Sequence, residues 1–105
     1  MLQIIKNVLG IGPKVNIGEL ITKGAIIIDV RSKGEYAGGH AKGSINVPLD
    51  QLSGYLTKLK NKEQVIITCC ASGMRSASAK TFFKGQGFKH VHNAGPWITL
   101  NKYCK

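Results

Sequence analysis

Two short runs, AIIIDV (Ala25–Val30) and VIITC (Val65–Cys69), limit what this chain can become more than anything else in it. Neither alternates apolar with polar. A strand with one face in water alternates; a strand buried on both faces reads apolar throughout and belongs inside a parallel sheet. Parallel neighbours need a crossover connection, usually a helix. The stretches around the two runs supply such helices. Asn16 stands three residues before Glu19, a capping-box-like start for a helix through Leu20 and Ile21 that stops near Gly24. The glycine-rich segment after Val30 reads as a loop with one helical turn near Glu35. SINV (Ser44–Val47) reads as a second strand, ended by Pro48. Asp50 then caps a helix with Leu52, Tyr55, Leu56 and Leu59 on one face. SASAKTFFK is a helix with Ala79, Phe82 and Phe83 inward, FKHVH (Phe88–His92) a further strand, and Pro96 opens a last helix with Trp97, Leu100 and Tyr103. Alternating strands and helices predict an α/β fold: a central, mostly parallel sheet of four to five strands with helices on both faces. Residues 15–105 form this domain. Residues 1–14 form a separate short amphipathic segment, with Leu2, Ile5 and Leu9 at helical spacing before Gly10.

The chain has 105 residues, enough for one core. No apolar run nears the ~18 residues of a membrane span. The N-terminus carries Lys6 within its apolar stretch and lacks a small-x-small cleavage site, so it is not read as an intact signal peptide. A cytoplasmic location is expected, or a periplasmic one if a signal has been removed. The net charge of +10 attracts anions. The lysines are scattered, without aromatic interleaving or zinc-finger spacing, so small anions are expected as ligands rather than nucleic acid. Three cysteines make no disulfide framework, and the histidines are too few and too separate for a metal site, so no metal cofactor is expected.

The chemistry concentrates in ITCCASGMRS (Ile67–Ser76). A strand ends there and a helix begins. Ala71, Ser72 and Gly73 are small, so the backbone can curl and aim several N–H groups inward, and the helix adds its positive end. Both favour a thiolate. Lowering a cysteine pKa from ~8.5 to ~6.5 raises the thiolate at neutral pH from a few per cent to most of the population. Arginine usage singles out the end of the loop. Lysine occurs thirteen times and arginine only twice, at Arg31 and Arg75. A planar fork suited to oxyanions is the property lysine cannot supply.

In these residues the chain resembles the rhodanese-like sulfurtransferases. IIIDVRSKGEYAGGHAKGSINVP is similar to the family signature D-V-R-x-x-x-E-Y/F-x-x-G-H-I-x-G-A-x-N-x-P, CASGMRS to its active loop C-x-S-G-x-R-S, and HNAGPW to its glycine-rich approach to a tryptophan. The departures are Ala41 for isoleucine, Ser44 for alanine and Ala94 for glycine. The resemblance implies that Cys70 is the catalytic nucleophile, taking sulfane sulfur from an anionic donor such as thiosulfate. The resulting persulfide would pass its sulfur to cyanide, a thiol or a protein acceptor. Ala71, Ser72, Gly73, Met74, Arg75 and Ser76 would bind the substrate, chiefly through backbone N–H groups, with Arg75 orienting the donor. Asp29, Arg31, Glu35 and His40 fall on signature positions and are expected to be supporting residues, with Arg31 and Glu35 paired across one helical turn. A monomer is expected.

Two other readings stay open at this point. Counted from Cys69, five residues separate the cysteine from Arg75, the spacing of cysteine-dependent phosphatases and arsenate reductases. The fold can also serve as a non-catalytic interaction module. Three features favour Cys70: Gly73 falls three residues after it, Thr68 stands where phosphatases usually have histidine, and the loop lacks further glycines or charges. Strand alternation sends Cys69 and Cys70 to opposite sides, with Cys69 as a buried small hydrophobe.

Overall fold

The computed structural model of the protein describes residues 15–104. The expected helix over Met1–Leu9 lies outside them. Four strands form one sheet: β1 (Ile26–Asp29), β2 (Ile45–Asn46), β3 (Ile66–Cys70) and β4 (Val91–Pro96). Their order is β2-β1-β3-β4, and every pairing is parallel. The α-helices are α1 (Ile17–Thr22), α2 (Lys33–Ala37), α3 (Leu52–Tyr55) and α4 (Met74–Gly85). The two apolar runs are the central pair, β1 and β3. Ile28, Ile66, Ile67 and Cys69 have no exposed surface, as a strand covered on both faces requires.

Alternation along β1 and β3 feeds two cores. On one face Ile28, Ile66 and Cys70 meet Leu52, Ala79 and Phe83 of α3 and α4. On the other, Ile27, Ile67 and Cys69 meet Leu100, with Leu20 and Ile21 of α1 packed over them. Each fully buried large side chain contributes about 1.5–3 kcal/mol, so these two layers hold the helices to the sheet. Asn16 caps α1 by accepting the Glu19 N–H at 3.0 Å. Ser32 and Glu35 form a reciprocal capping box at the start of α2.

Four expectations about element limits are corrected. β4 is not Phe88–His92 but Val91–Pro96. Phe88 instead packs edge-on against Phe83, and Lys89 and His90 are exposed. A bulge explains the longer strand: Thr68 faces Asn93 but Cys69 faces Gly95, leaving Ala94 unmatched. Asp50 caps no helix; it lies inside a 3-10 turn, Leu49–Gln51, that leads into α3. The region after Pro96 is a 3-10 turn, Trp97–Leu100, rather than an α-helix, and of its apolar residues only Leu100 is fully buried. Finally, α4 begins at Met74, two residues before Ser76. Phe82 on α4 is half-buried, whereas Ala79 and Phe83 are fully covered.

Candidate active site

β3 ends at Cys70, and α4 begins four residues later. The turn between them is possible because Gly73, the N-cap of α4, has φ +105°, a left-handed conformation that disfavours any side chain. A Cβ there would also sit 3.3 Å from Cα of Gly95, the residue at φ +78° on the bulged end of β4. Two glycines from two strand ends thus let the loop fold down onto the sheet.

The loop closes around the Cys70 sulfur. The Gly73 N–H donates to Sγ at 2.9 Å and the Ser76 N–H at 3.4 Å, and the Ser76 hydroxyl lies at 3.3 Å. Burial alone would raise the Cys70 pKa. The Ser76 hydroxyl and the N–H groups of Ser76, Gly73 and Ser72 outweigh it, so the thiol ionises below its ordinary value. The N-terminus of the 12-residue helix α4 points the same way. Ala71, Met74 and Arg75, expected to join through their N–H groups, make no hydrogen bond to this sulfur. The Met74 side chain is 78% exposed.

Cys69 faces the opposite side of the sheet, in the core with Ile27 and Leu100. Burial, and after it the nearby Asp29 carboxylate, push its pKa up to about 12. The two adjacent thiols are therefore shifted in opposite directions by the alternation of one strand. Cys104 is half-buried against the Cys69 core, and burial raises its pKa too.

The supporting residues fall into separate groups. Asp29, with no exposed surface, accepts from the Arg31 N–H, Nε and Nη2 at 2.8–3.0 Å. Arg31 also donates to the carbonyls of Gly39 and Glu35 and lies 4.8 Å from the Trp97 ring centroid. The expected side-chain pair of Arg31 with Glu35 is not formed, because the buried Asp29 carboxylate takes the Arg31 fork. Glu35 turns outward instead. It caps α2 and receives both arms of Arg75 at 2.7 and 3.0 Å. Arg75, with the Ser32 backbone next, lowers the Glu35 pKa to about 2. The Arg75 fork is thus engaged rather than open. Arg75 also lines a groove of about 420 Å³ with Val30, Pro48 and Leu49 on its apolar floor. His40 lies apart: it is exposed, stacked on Tyr36 at 3.7 Å, with Nδ1 2.8 Å from the Tyr36 carbonyl.

One residue of the site was not singled out by sequence reasoning. Asn93 on β4 reaches Ser76 Oγ at 2.6 Å and donates to the Gly73 carbonyl at 3.2 Å. Its one signal in the sequence was a polar residue just before the Ala-Gly at a strand end.

Comparison with known proteins agrees with this geometry. The family model described as "Rhodanese-like domain" matches residues 16–94. The thiosulfate sulfurtransferase PspE of Escherichia coli (strain K12) is 35% identical over 69 residues, 65% of this chain and 66% of that protein. The thiosulfate sulfurtransferase GlpE of Ectopseudomonas mendocina is 32% identical over 75 residues, 71% of this chain and 68% of that protein. The chain thus spans about two thirds of the length of these curated relatives. Among solved structures, a rhodanese with anions from E. coli superposes with a TM-score of 0.67 at 32% identity, covering 71% of this chain and 89% of that one. The human single-domain sulfurtransferase TSTD1 gives 0.71 at 26% identity, covering 87% and 96%. With its cysteine loop at the carboxyl end of β3, a sheet of order β2-β1-β3-β4 and a family match over most of its length, the chain belongs to the rhodanese-like domain family.

Proposed function

We propose that the protein is a sulfurtransferase that carries sulfane sulfur on Cys70. The observation that carries this reading is the cradle at Cys70: two backbone N–H groups and a hydroxyl on one sulfur, in a short loop at a helix N-terminus. In the first step the Cys70 thiolate attacks the outer sulfur of thiosulfate. The new bond joins Sγ to that sulfur, the S–S bond of thiosulfate breaks, and sulfite leaves with its electron pair. In the second step an acceptor nucleophile attacks the outer sulfur of the persulfide. The Sγ–S bond breaks and Cys70 returns as the thiolate. Cyanide gives thiocyanate; a thiol or a protein thiol gives a new persulfide. Neither step needs an external oxidant. The N–H groups of Met74 and Arg75, in the first turn of α4 where they have no partner within the helix, meet the charge on the outer sulfur. The 420 Å³ groove beside Arg75 suits a small thiol acceptor with an apolar body.

The test is intact mass. Incubation with thiosulfate adds one sulfur atom, located on the peptide with Cys70, and cyanide removes it as thiocyanate. A folded sample that never carries sulfur at Cys70 leaves the interaction-module reading in its place.

Arg75 serves here by its fork. Its engagement with Glu35 holds the guanidinium at the rim, where an incoming anion exchanges with the carboxylate. The pair is exposed, so the exchange is cheap. Arg75→Lys keeps the charge and loses the two-armed grip. Losing one charge-assisted hydrogen bond of about 1.5–3 kcal/mol slows loading from thiosulfate roughly ten- to a hundredfold. Stopped-flow loading rates decide the matter, and equal rates in Arg75→Lys would show that a point charge is enough.

A further inference from the structure

The Ser76 hydroxyl has one proton and three neighbours that can accept it. They are Asn93 Oδ1 at 2.6 Å, the Gly73 carbonyl at 3.1 Å and Cys70 Sγ at 3.3 Å. Two backbone groups decide which way the Asn93 amide faces. The Gly95 N–H can only donate, and it lies 2.8 Å from Oδ1. The Gly73 carbonyl can only accept, and it lies 3.2 Å from Nδ2. The atom 2.6 Å from Ser76 is therefore an acceptor, and Ser76 donates to it. While Cys70 is a neutral thiol its S–H supplies the remaining contact, donating to Ser76 Oγ. Once the sulfur is a thiolate it has no proton to give, and the contact survives only if the hydroxyl turns round and donates to it. Asn93 Oδ1 then keeps the Gly95 N–H.

We propose that Asn93 is a positioning residue of the cysteine loop, which holds the Ser76 hydroxyl away from Cys70 while the sulfur is uncharged and releases it when the sulfur becomes a thiolate. The change is a rotation about Cβ–Oγ; no bond to hydrogen is broken. In the sulfur-transfer cycle, on whose assignment this part rests, Sγ bears charge before loading and again as leaving group when the outer sulfur departs. The hydroxyl faces Sγ at those two points and Asn93 in between. Only an amide fills the place. A carboxylate would oppose the Gly73 carbonyl, and a methyl group would leave the hydroxyl without its strongest neutral acceptor. The other charged or titratable groups around Cys70 stay as they are when residue 93 changes. They are Arg75 with its Glu35, the Asp29–Arg31 pair at the end of β1, and the neutral Cys69 on the far face.

The experiment is the rate of Cys70 alkylation by iodoacetamide across pH on the full chain, with the modified peptide identified by mass. In Asn93→Asp the midpoint moves up by about one pH unit, which slows alkylation about tenfold below the midpoint. In Asn93→Ala the midpoint moves down by about half a pH unit, which speeds alkylation below the midpoint about threefold. A residue with a merely structural role would move both midpoints the same way. Equal directions, or no movement in either variant, overturn the proposal. Circular dichroism checks that each variant folds; if Asn93→Asp does not, the direction in Asn93→Ala decides alone. The reagent needs no sulfur donor, so a chain that takes nothing from thiosulfate still gives this profile, and failure of the sulfurtransferase reading is seen separately.

Discussion

Cys70→Ser is expected to lose sulfur transfer by at least ~1,000-fold, more than about 4 kcal/mol of barrier. An alcohol in this cradle would be a weak nucleophile at neutral pH and could not carry a persulfide. The Gly73 and Ser76 donors would remain, but with no thiolate to hold. Cys69→Ser is expected to act on a different quantity. It puts a hydroxyl among Ile27, Ile67 and Leu100, where burying it without a partner costs about 1–3 kcal/mol of stability. Its turnover per folded molecule stays near that of the unaltered chain. The two serine variants are compared in one thiosulfate–cyanide assay, with folded fraction measured by urea titration. Activity in Cys70→Ser together with silence in Cys69→Ser would move the nucleophile one residue back. The longer loop, and phosphate or arsenate chemistry with it, would then have to be taken up.

The second large effect lies beneath the site. Asp29→Asn is expected to destabilise the fold by about 3–5 kcal/mol, the usual result when one partner of a buried ion pair is removed. Asp29 has no exposed surface, and the Arg31 side chain has 5%. The substitution leaves a guanidinium without its counter-charge and turns an amide N–H₂ toward its donors. Asparagine keeps the size, so the loss is electrostatic rather than a cavity. Such a loss is a large share of the ~5–15 kcal/mol that a domain usually has. Equilibrium urea unfolding measures it. A loss below ~1 kcal/mol would mean that the pair behaves like one in water. Glu35→Gln makes the contrast, because the Glu35–Arg75 pair is exposed and its loss should cost little stability.

The central strands were legible because their burial is written in composition: three isoleucines in a row fit a strand covered on both faces. The opposite directions of Cys69 and Cys70 followed from the period of two, with no tertiary information. The edges were less legible. FKHVH alternates as a strand does, yet pairing along β4 starts at Val91 and runs on through a glycine and a proline. A bulge across from Thr68 and Cys69 made that possible, and a bulge has no local signature apart from the glycine that permits it. The partner of Arg31 was misread for a similar reason. Helical spacing favoured Glu35, but the need to neutralise a buried carboxylate two residues away was stronger. Asn93 escaped notice because its partners, Gly73 and Ser76, lie 20 and 17 residues earlier in the chain.

The opposed facing of the two neighbouring cysteines also gives the molecule an internal clock. Both residues are buried, but the Cys70 sulfur lies under a short loop whose donors lower its pKa, whereas Cys69 sits in the core with Ile27 and Leu100, its thiol pushed up to about 12. A reagent meets Cys69 as a thiolate only when the sheet comes apart, since β1 and β4 flank it on either side. With Cys70 and Cys104 first blocked under native conditions, each later label at Cys69 marks one opening of the central strands. In the regime where labelling is slower than reclosing, its rate reports the opening free energy. Anything that binds only the folded chain, at a place other than the blocked cysteines, would slow that rate, so the strand that turns the Cys70 sulfur to one face keeps, on the other, a record of how far the balance between closed and open lies toward closed.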